Sequence, residues 1–156
     1  PATISATQVE YSLLQRGIER EVIPACSQFG VGVLAWSPLG RGVLTGKYRN
    51  GTPADSRGAS RNFASFVSPF LDDRARGIVE AVHLAAEALN LNPTDVALAW
   101  LLRQPTLSSA IVGARTAAQL KLTLQGFGAT IPDEVFQALN DISMPHRSYP
   151  EYGWNQ

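Results

Sequence analysis

The spacing of apolar residues changes character along the chain, and each change predicts an element. Residues 4–11 are β-rich, with Ile4, Thr7, Val9 and Tyr11 set among small and polar neighbours, which predicts a strand. Residues 19–29 place Val22, Ile23, Ala25, Cys26 and Phe29 near helical spacing, and Gly30 follows as a C-cap glycine would. Residues 31–36 form a continuous apolar run, the pattern of a strand buried on both faces in a parallel sheet. Residues 37–71 are irregular and rich in Gly, Ser, Arg and Asn. A stretch of that length in a compact domain is either functional or disordered.

The second half is more regular. Residues 72–90 carry Ile78, Val82, Ala85 or Ala86, and Leu89 on one stripe of a long helix. Asn92-Pro93 reads as an N-cap followed by a first-turn proline. The helix it opens carries Val96, Ala99, Trp100 and Leu102 and stops at Pro105. A third short strand is expected over 108–113, centred on Ala110, Ile111 and Val112. Thr116-Ala-Ala-Gln119 has capping-box spacing and opens another helix. A last helix is expected over 132–142, ahead of a turn-rich tail with Tyr149, Tyr152 and Trp154. This β/α alternation implies parallel strands joined by right-handed crossovers. A closed barrel of this kind needs eight strands and about 250 residues, so the chain is short of one by about five β/α units.

Composition narrows the function classes. The chain has 156 residues, 45% hydrophobic and 17% charged, which is ordinary for a folded protein and argues against disorder. Thirteen basic residues balance thirteen acidic ones, so a nucleic-acid-binding role is not expected. No apolar run approaches the ~20 residues of a membrane span, and no signal peptide is visible. A cytoplasmic location is expected. The chain begins at Pro1 rather than Met, which fits a processed chain, an expression product or a fragment. Cys26 is the only cysteine, excludes an intrachain disulfide, and is expected in the core. No metal-ligand spacing appears. Charge is unevenly distributed: between Pro38 and Leu71, Arg41, Lys47, Arg49, Arg57 and Arg61 face a single acid, Asp55. A phosphate-bearing ligand or a solvated loop accounts for that excess equally well.

The richest segment is Trp36-Ser-Pro-Leu-Gly-Arg-Gly-Val-Leu-Thr-Gly-Lys-Tyr48. It follows a buried strand directly, at the end where parallel α/β folds bind ligands. Trp36 can stack on a flat ring, and Ser37 offers a hydroxyl. Gly40 and Gly42 allow close backbone approach to a pyrophosphate, with N–H groups inward, and Arg41 and Lys47 add charge. A Walker A loop is excluded, because Arg41 and Tyr48 stand where Gly and Ser or Thr are required. The dinucleotide fingerprint fails too, since Gly40-Arg-Gly42-Val-Leu-Thr-Gly46 is one residue too long. An anionic ligand with a flat ring, or a purely structural glycine loop, remain the two readings. Ile111-Val-Gly-Ala-Arg115 followed by Thr116 offers a second junction, where a helix N-terminus can meet phosphate.

Taken together, these segments resemble the aldo-keto reductases. Ala35 to Tyr48 is similar to that family's seventh-strand cofactor loop, in the branch of bacterial reductases that includes potassium-channel β-subunits. Gln8-Val-Glu-Tyr-Ser12 resembles its sixth strand, and Ile111-Val-Gly-Ala-Arg-Thr-Ala-Ala-Gln-Leu120 its eighth strand and following helix. The Tyr149-Pro-Glu-Tyr-Gly-Trp154 ending resembles its aromatic tail.

The resemblance implies an α/β fold, a partial (β/α)8 barrel. Residues 1–156 would be its cofactor-binding part, roughly the sixth to eighth units plus a C-terminal helix and tail. It implies NADP(H) as cofactor and a small carbonyl substrate for the parent enzyme. Gln8 would bond the nicotinamide carboxamide, and Trp36 would stack on its ring. Ser37, Pro38, Leu39, Gly40 and Arg41 would line the pyrophosphate, with Lys47 nearby. Gly113, Arg115 and Gln119 would embrace the adenosine end. Arg115, and less directly Arg61, would meet a 2′-phosphate. The family's frequent Glu-Asn after the glutamine is Leu122-Thr123 here, so adenine recognition is altered or weakened. The family's catalytic Asp, Tyr, Lys and His lie on earlier strands, and none can be assembled in this chain. Inactivity in isolation is therefore expected, with either pairing to a missing N-terminal half or self-association over the open half-barrel.

Overall fold

The computed structural model describes residues 3–146. Strands β1 (Ala6–Glu10), β2 (Gly32–Trp36) and β3 (Leu107–Ile111) form one parallel sheet in the order β1-β2-β3. Helix α1 (Val22–Phe29) joins β1 to β2 and ends on Gly30 in the left-handed region, φ 66°. The connection from β2 to β3 is not structureless at its start. It contains a 3-10 turn at Gly40–Thr45 and a short helix α2 (Ala64–Val67), then α3 (Asp73–Leu89) and α4 (Pro93–Leu102). Helices α5 (Ala117–Gly126) and α6 (Asp133–Ser143) follow β3.

Local chemistry accounts for these boundaries. Asp72 caps α3, its carboxylate accepting the Ala75 N–H at 2.7 Å. Asp95 accepts the Asn92 N–H at 3.0 Å and fixes the start of α4, with Pro93 in its first turn. At α5, Thr116 accepts the Gln119 N–H at 3.2 Å, as the capping-box spacing predicts. The Gln119 side chain, however, reaches past Thr116 and accepts the Arg115 N–H at 3.0 Å.

The register decides which residues share a face. Gln8 pairs with Leu34 and Glu10 with Trp36. After a one-residue irregularity between Val33 and Leu34, Leu34 pairs with Ser109, Ala35 with Ala110 and Trp36 with Ile111. Side chains alternate along a strand, so Val33, Ala35 and Ala110 point to one side and are buried. Gln8, Glu10, Leu34, Trp36, Ser109 and Ile111 share the other side. The strand over 31–36 was expected to be buried on both faces. Instead Val33 and Ala35 are fully buried, while Leu34 and Trp36 are half-buried, because the core packs against the side that Val33 and Ala35 face.

The core lies on the covered side. Helix α4 is buried from Thr94 to Leu101 around its whole circumference, packed by α3, α5, β3 and the 3-10 turn after β2. Helix α3 contributes Ala75, Ile78, Val79, Val82 and Ala86, close to the predicted stripe. Cys26 is buried, as expected.

A polar cluster docks α6 onto this core. Arg16 donates to both carboxylate oxygens of Glu19 at 2.7 and 2.8 Å, to the Asn140 carbonyl at 2.7 Å and to Ser143 Oγ at 2.8 Å. Its guanidinium lies 5.2 Å from the Trp100 ring centroid, and Trp100 Nε1 donates to Asn140 Oδ1 at 2.9 Å. Replacing Arg16 would strand several acceptors at once. Arg16→Ala is expected to cost about 3 kcal/mol, since breaking a buried ion pair leaves its partner uncompensated. Urea unfolding checks this, and a loss under ~1 kcal/mol would mean the cluster does not hold α6.

Candidate functional site

The site is built where β2 ends. Trp36 is its last residue, and the chain then turns through a run of left-handed backbone: Ser37 φ 54°, Gly40 φ 55°, Arg41 φ 60° and Gly42 φ 89°. Gly40 is required there twice over, by its φ and because a Cβ would sit 2.6 Å from Leu14 Cδ1. Gly42 lets Lys47 approach, its Nζ 3.0 Å from where a Cβ would stand. Pro38 and Gly40 are buried, and Leu39 is half-buried against the core.

Several N–H groups of this turn are engaged within it. Gly40 N–H donates to the Ser37 carbonyl at 2.9 Å, Arg41 N–H to Ser37 Oγ at 2.9 Å and Gly42 N–H to the Leu39 carbonyl at 3.0 Å. Arg41 is engaged as well. Its guanidinium donates to both Glu10 carboxylate oxygens at 2.8 and 2.7 Å and to the Phe66 carbonyl. It also lies 4.0 Å from the Phe66 ring centroid and 4.5 Å from that of Phe70. Phe66 in turn runs nearly parallel to Trp36, at 12° and 6.4 Å between centroids. Glu10, Phe66 and Phe70 thus belong to the site although the sequence analysis assigned them no role. Glu10 stands two residues after Gln8 and so on the same face, a signal that strand alternation could have supplied. Nothing local marks Phe66, which comes from α2.

The remaining candidates fall into two groups. Gln8 is exposed on the open face of β1, one alternation before Glu10, and so on the same side as Trp36. Gly113, Arg115 and Gln119 are exposed at the junction of β3 and α5. Arg115 reaches across to the long connection, donating to the Asp55 carbonyl at 3.1 Å. Lys47 is exposed beside the turn, its Nζ 5.2 Å from the Tyr48 ring centroid. Arg61 is exposed on the same connection, with no described hydrogen bond to another candidate. Tyr149, Tyr152 and Trp154 lie outside the described residues. A separate cleft of about 650 Å³ lies between Tyr48, Arg49, Phe70, Leu71 and Gly77, and none of the predicted cofactor residues lines it.

The aldo/keto reductase family model matches residues 1–144. The chain belongs to that family. It is 38% identical over 149 residues to an uncharacterized oxidoreductase of Bacillus subtilis, YrpG, covering 94% of this chain and 43% of that protein. It is 34% identical over 146 residues to the protein tas of Escherichia coli, covering 94% and 41%. A probable voltage-gated potassium channel β subunit of Oryza sativa is 39% identical over 115 residues, covering 72% and 35%. The chain therefore spans about two-fifths of the length of the curated relatives it matches. Among the described residues, no helix is long and apolar enough to cross a membrane.

A general acid for carbonyl chemistry needs a tyrosine whose proton is easily given up. Tyr11 is the reverse: it is buried and donates to Glu19 Oε1 at 2.7 Å, and desolvation and that carboxylate push its pKa well above the usual tyrosine range. Tyr48 accepts the Gly58 N–H through its hydroxyl at 3.1 Å. His83 is paired with Glu87 on α3 at 3.1 Å, away from the sheet's open face. Because the folded state holds Tyr11 protonated more tightly than the unfolded chain does, its contribution is complete below the unfolded pKa of about 10 and fades as pH rises past it. Stability should thus fall above about pH 10, and Tyr11→Phe should flatten that fall. Urea midpoints from pH 8 to 11 read this out; parallel curves for both proteins would contradict it.

Proposed function

We propose that this chain is the cofactor-holding part of an aldo/keto reductase barrel, its sixth to eighth β/α units with the C-terminal helix and tail. The complete protein would be an oxidoreductase reducing small aldehydes or ketones with NADPH, acting in the cytoplasm. The observation that supports this reading is a shared side of the sheet: Gln8 and Trp36 point the same way from neighbouring parallel strands, Gln8 beside Leu34 and two residues before Glu10, the register partner of Trp36.

The residues fit such a cofactor in part. Trp36 offers a ring face, Gln8 an exposed amide, and Lys47 and Arg115 exposed cations. Helix α5 adds an N-terminus with Gly113 before it, favourable to a phosphate. When bound, NADPH supplies the hydride. The chain's own side chains would orient the nicotinamide, with Gln8 on its carboxamide and Trp36 against its plane. Arg41 is the exception, since Glu10 already neutralises it. Arg115 supports NADP(H) over NAD(H), as an exposed cation beside the adenosine end can meet a 2′-phosphate.

Two outcomes follow. NADPH should quench the intrinsic fluorescence, NADH should bind more weakly, and Trp36→Ala should weaken NADPH binding about tenfold. Tighter NADH binding would overturn the cofactor preference. The isolated 156-residue chain should also show no aldehyde-dependent NADPH oxidation, because among the described residues Tyr11 is held protonated by burial and Glu19 and no lysine lies against it. Measurable turnover by the pure chain would defeat that part.

A second reading has its own support. β1 and β3 each pair on one side only among the described residues, and Ile4, Phe29 and Leu124 are 74%, 73% and 55% exposed. Free edges and apolar surface favour self-association, so the chain would act as a non-catalytic module covering its own open half. Light scattering separates the two: a clean monomer counts against this reading.

A further inference from the structure

Four side chains close a circuit around the start of the long connection. Glu10 and Trp36 are register partners on β1 and β2. The chain leaves Trp36, turns through the left-handed run, and brings Arg41 back onto Glu10. Both members of that ion pair are largely withdrawn from solvent, with side chains 14% and 12% exposed, and the pairing is bidentate. The other face of the guanidinium chemistry is aromatic: Phe66 and Phe70 lie against it, and the Phe66 carbonyl accepts from Nη1. Phe66 then lies parallel to Trp36.

We propose that Arg41 is a positioning residue: it holds Phe66 parallel to Trp36 and so fixes the plane of the Trp36 ring on the open face of the sheet.

The physical argument starts from Trp36. An indole at the end of a strand, on the side opposite the buried core, has no core packing to select one ring orientation. The Phe66 ring supplies that packing. Yet Phe66 belongs to a helix of only four residues, Ala64–Val67, too short to hold itself in place. Its neighbour Val67 is fully buried and anchors one side of the turn. Arg41 ties down the other, by hydrogen bond to the Phe66 carbonyl and by lying over the ring. Glu10 fixes Arg41 in turn. A lysine could keep the charge but could neither span both carboxylate oxygens nor present a flat face to the ring. Arg41 also adopts φ 60°, a strained value for a residue with a Cβ, and the ion pair and ring contacts offset that cost. The proposal rests on the reading of Trp36 as the ring-contacting residue, but its geometry stands without a ligand.

The experiment is therefore made first without cofactor. The protein has three tryptophans, Trp36, Trp100 and Trp154, so the Trp36 contribution to near-ultraviolet circular dichroism is taken as the difference from Trp36→Phe. Arg41→Lys, Glu10→Gln and Phe66→Leu should each reduce that contribution by at least about half, and combining the first two should reduce it no further. The Trp100 Nε1–H resonance, held by Asn140, should stay in place in all of them and certifies the fold. A variant that shifts Trp100 is replaced in the comparison by Glu10→Asp, which keeps the charge but shortens its reach to Arg41. Unchanged Trp36 signal in Arg41→Lys and Glu10→Gln overturns the proposal. NADPH titration then separates the roles. A phosphate contact by Arg41 predicts weaker NADPH binding with the ligand-free Trp36 signal intact, which also counts against it. Loss of the Trp36 signal together with weaker NADPH binding supports it. A chain that binds no NADPH yet shows the coupled Trp36 changes keeps Arg41 as positioner and sinks the cofactor reading instead.

Discussion

A parallel sheet normally has both faces covered, because its crossovers and its interior side chains exclude water from each side. Here one face of a three-stranded sheet is sealed by helices, with Val33, Ala35 and Ala110 beneath them. The other carries Gln8 and Ile111 exposed and Leu34 and Trp36 half-buried. Everything functional follows from that asymmetry. Val33, Ala35 and Ala110 on the sealed side serve packing. Those on the open side are the ones a ligand or further protein could meet, and they include both ring-contact candidates.

The turn after β2 resolves a conflict between rigidity and approach. Its left-handed backbone lets the chain reverse within a few residues, and Gly40 nests against Leu14, where an added Cβ would force the Leu14 side chain to move. The internal hydrogen bonds that make this turn rigid also occupy the N–H groups of Gly40, Arg41 and Gly42. Lys47 and Arg115, by contrast, are exposed cations around the turn.

Much of this was legible in the sequence. Helix α3 announced itself by its apolar period, and α4 by its period and by Asn92 and Pro93, which act within a turn of where they stand. The alternation of strands and helices, and so the parallel pairing, was legible from the same periodicity. What was not legible is long-range. Arg41 reads as a phosphate ligand because its neighbours are glycines, yet its partners are 31 and 25 residues away. Arg16 gave no sign of holding α6, since Asn140 and Ser143 lie at the other end of the chain. The half-covered state of β2 was equally hidden, because an apolar run records what a strand can tolerate and not which of its faces is covered.

The central claim is that the open face around Gln8 and Trp36 holds a nicotinamide cofactor. The most direct measurement is a nuclear magnetic resonance titration of the chain with NADPH, following the Gln8 side-chain amide and the Trp36 indole N–H. The account predicts that both shift together and saturate, with the amides of the β3–α5 junction at Gly113 and Arg115 shifting in parallel. Shifts confined to the cleft at Tyr48, Arg49 and Gly77, with Gln8 and Trp36 unmoved, would contradict it.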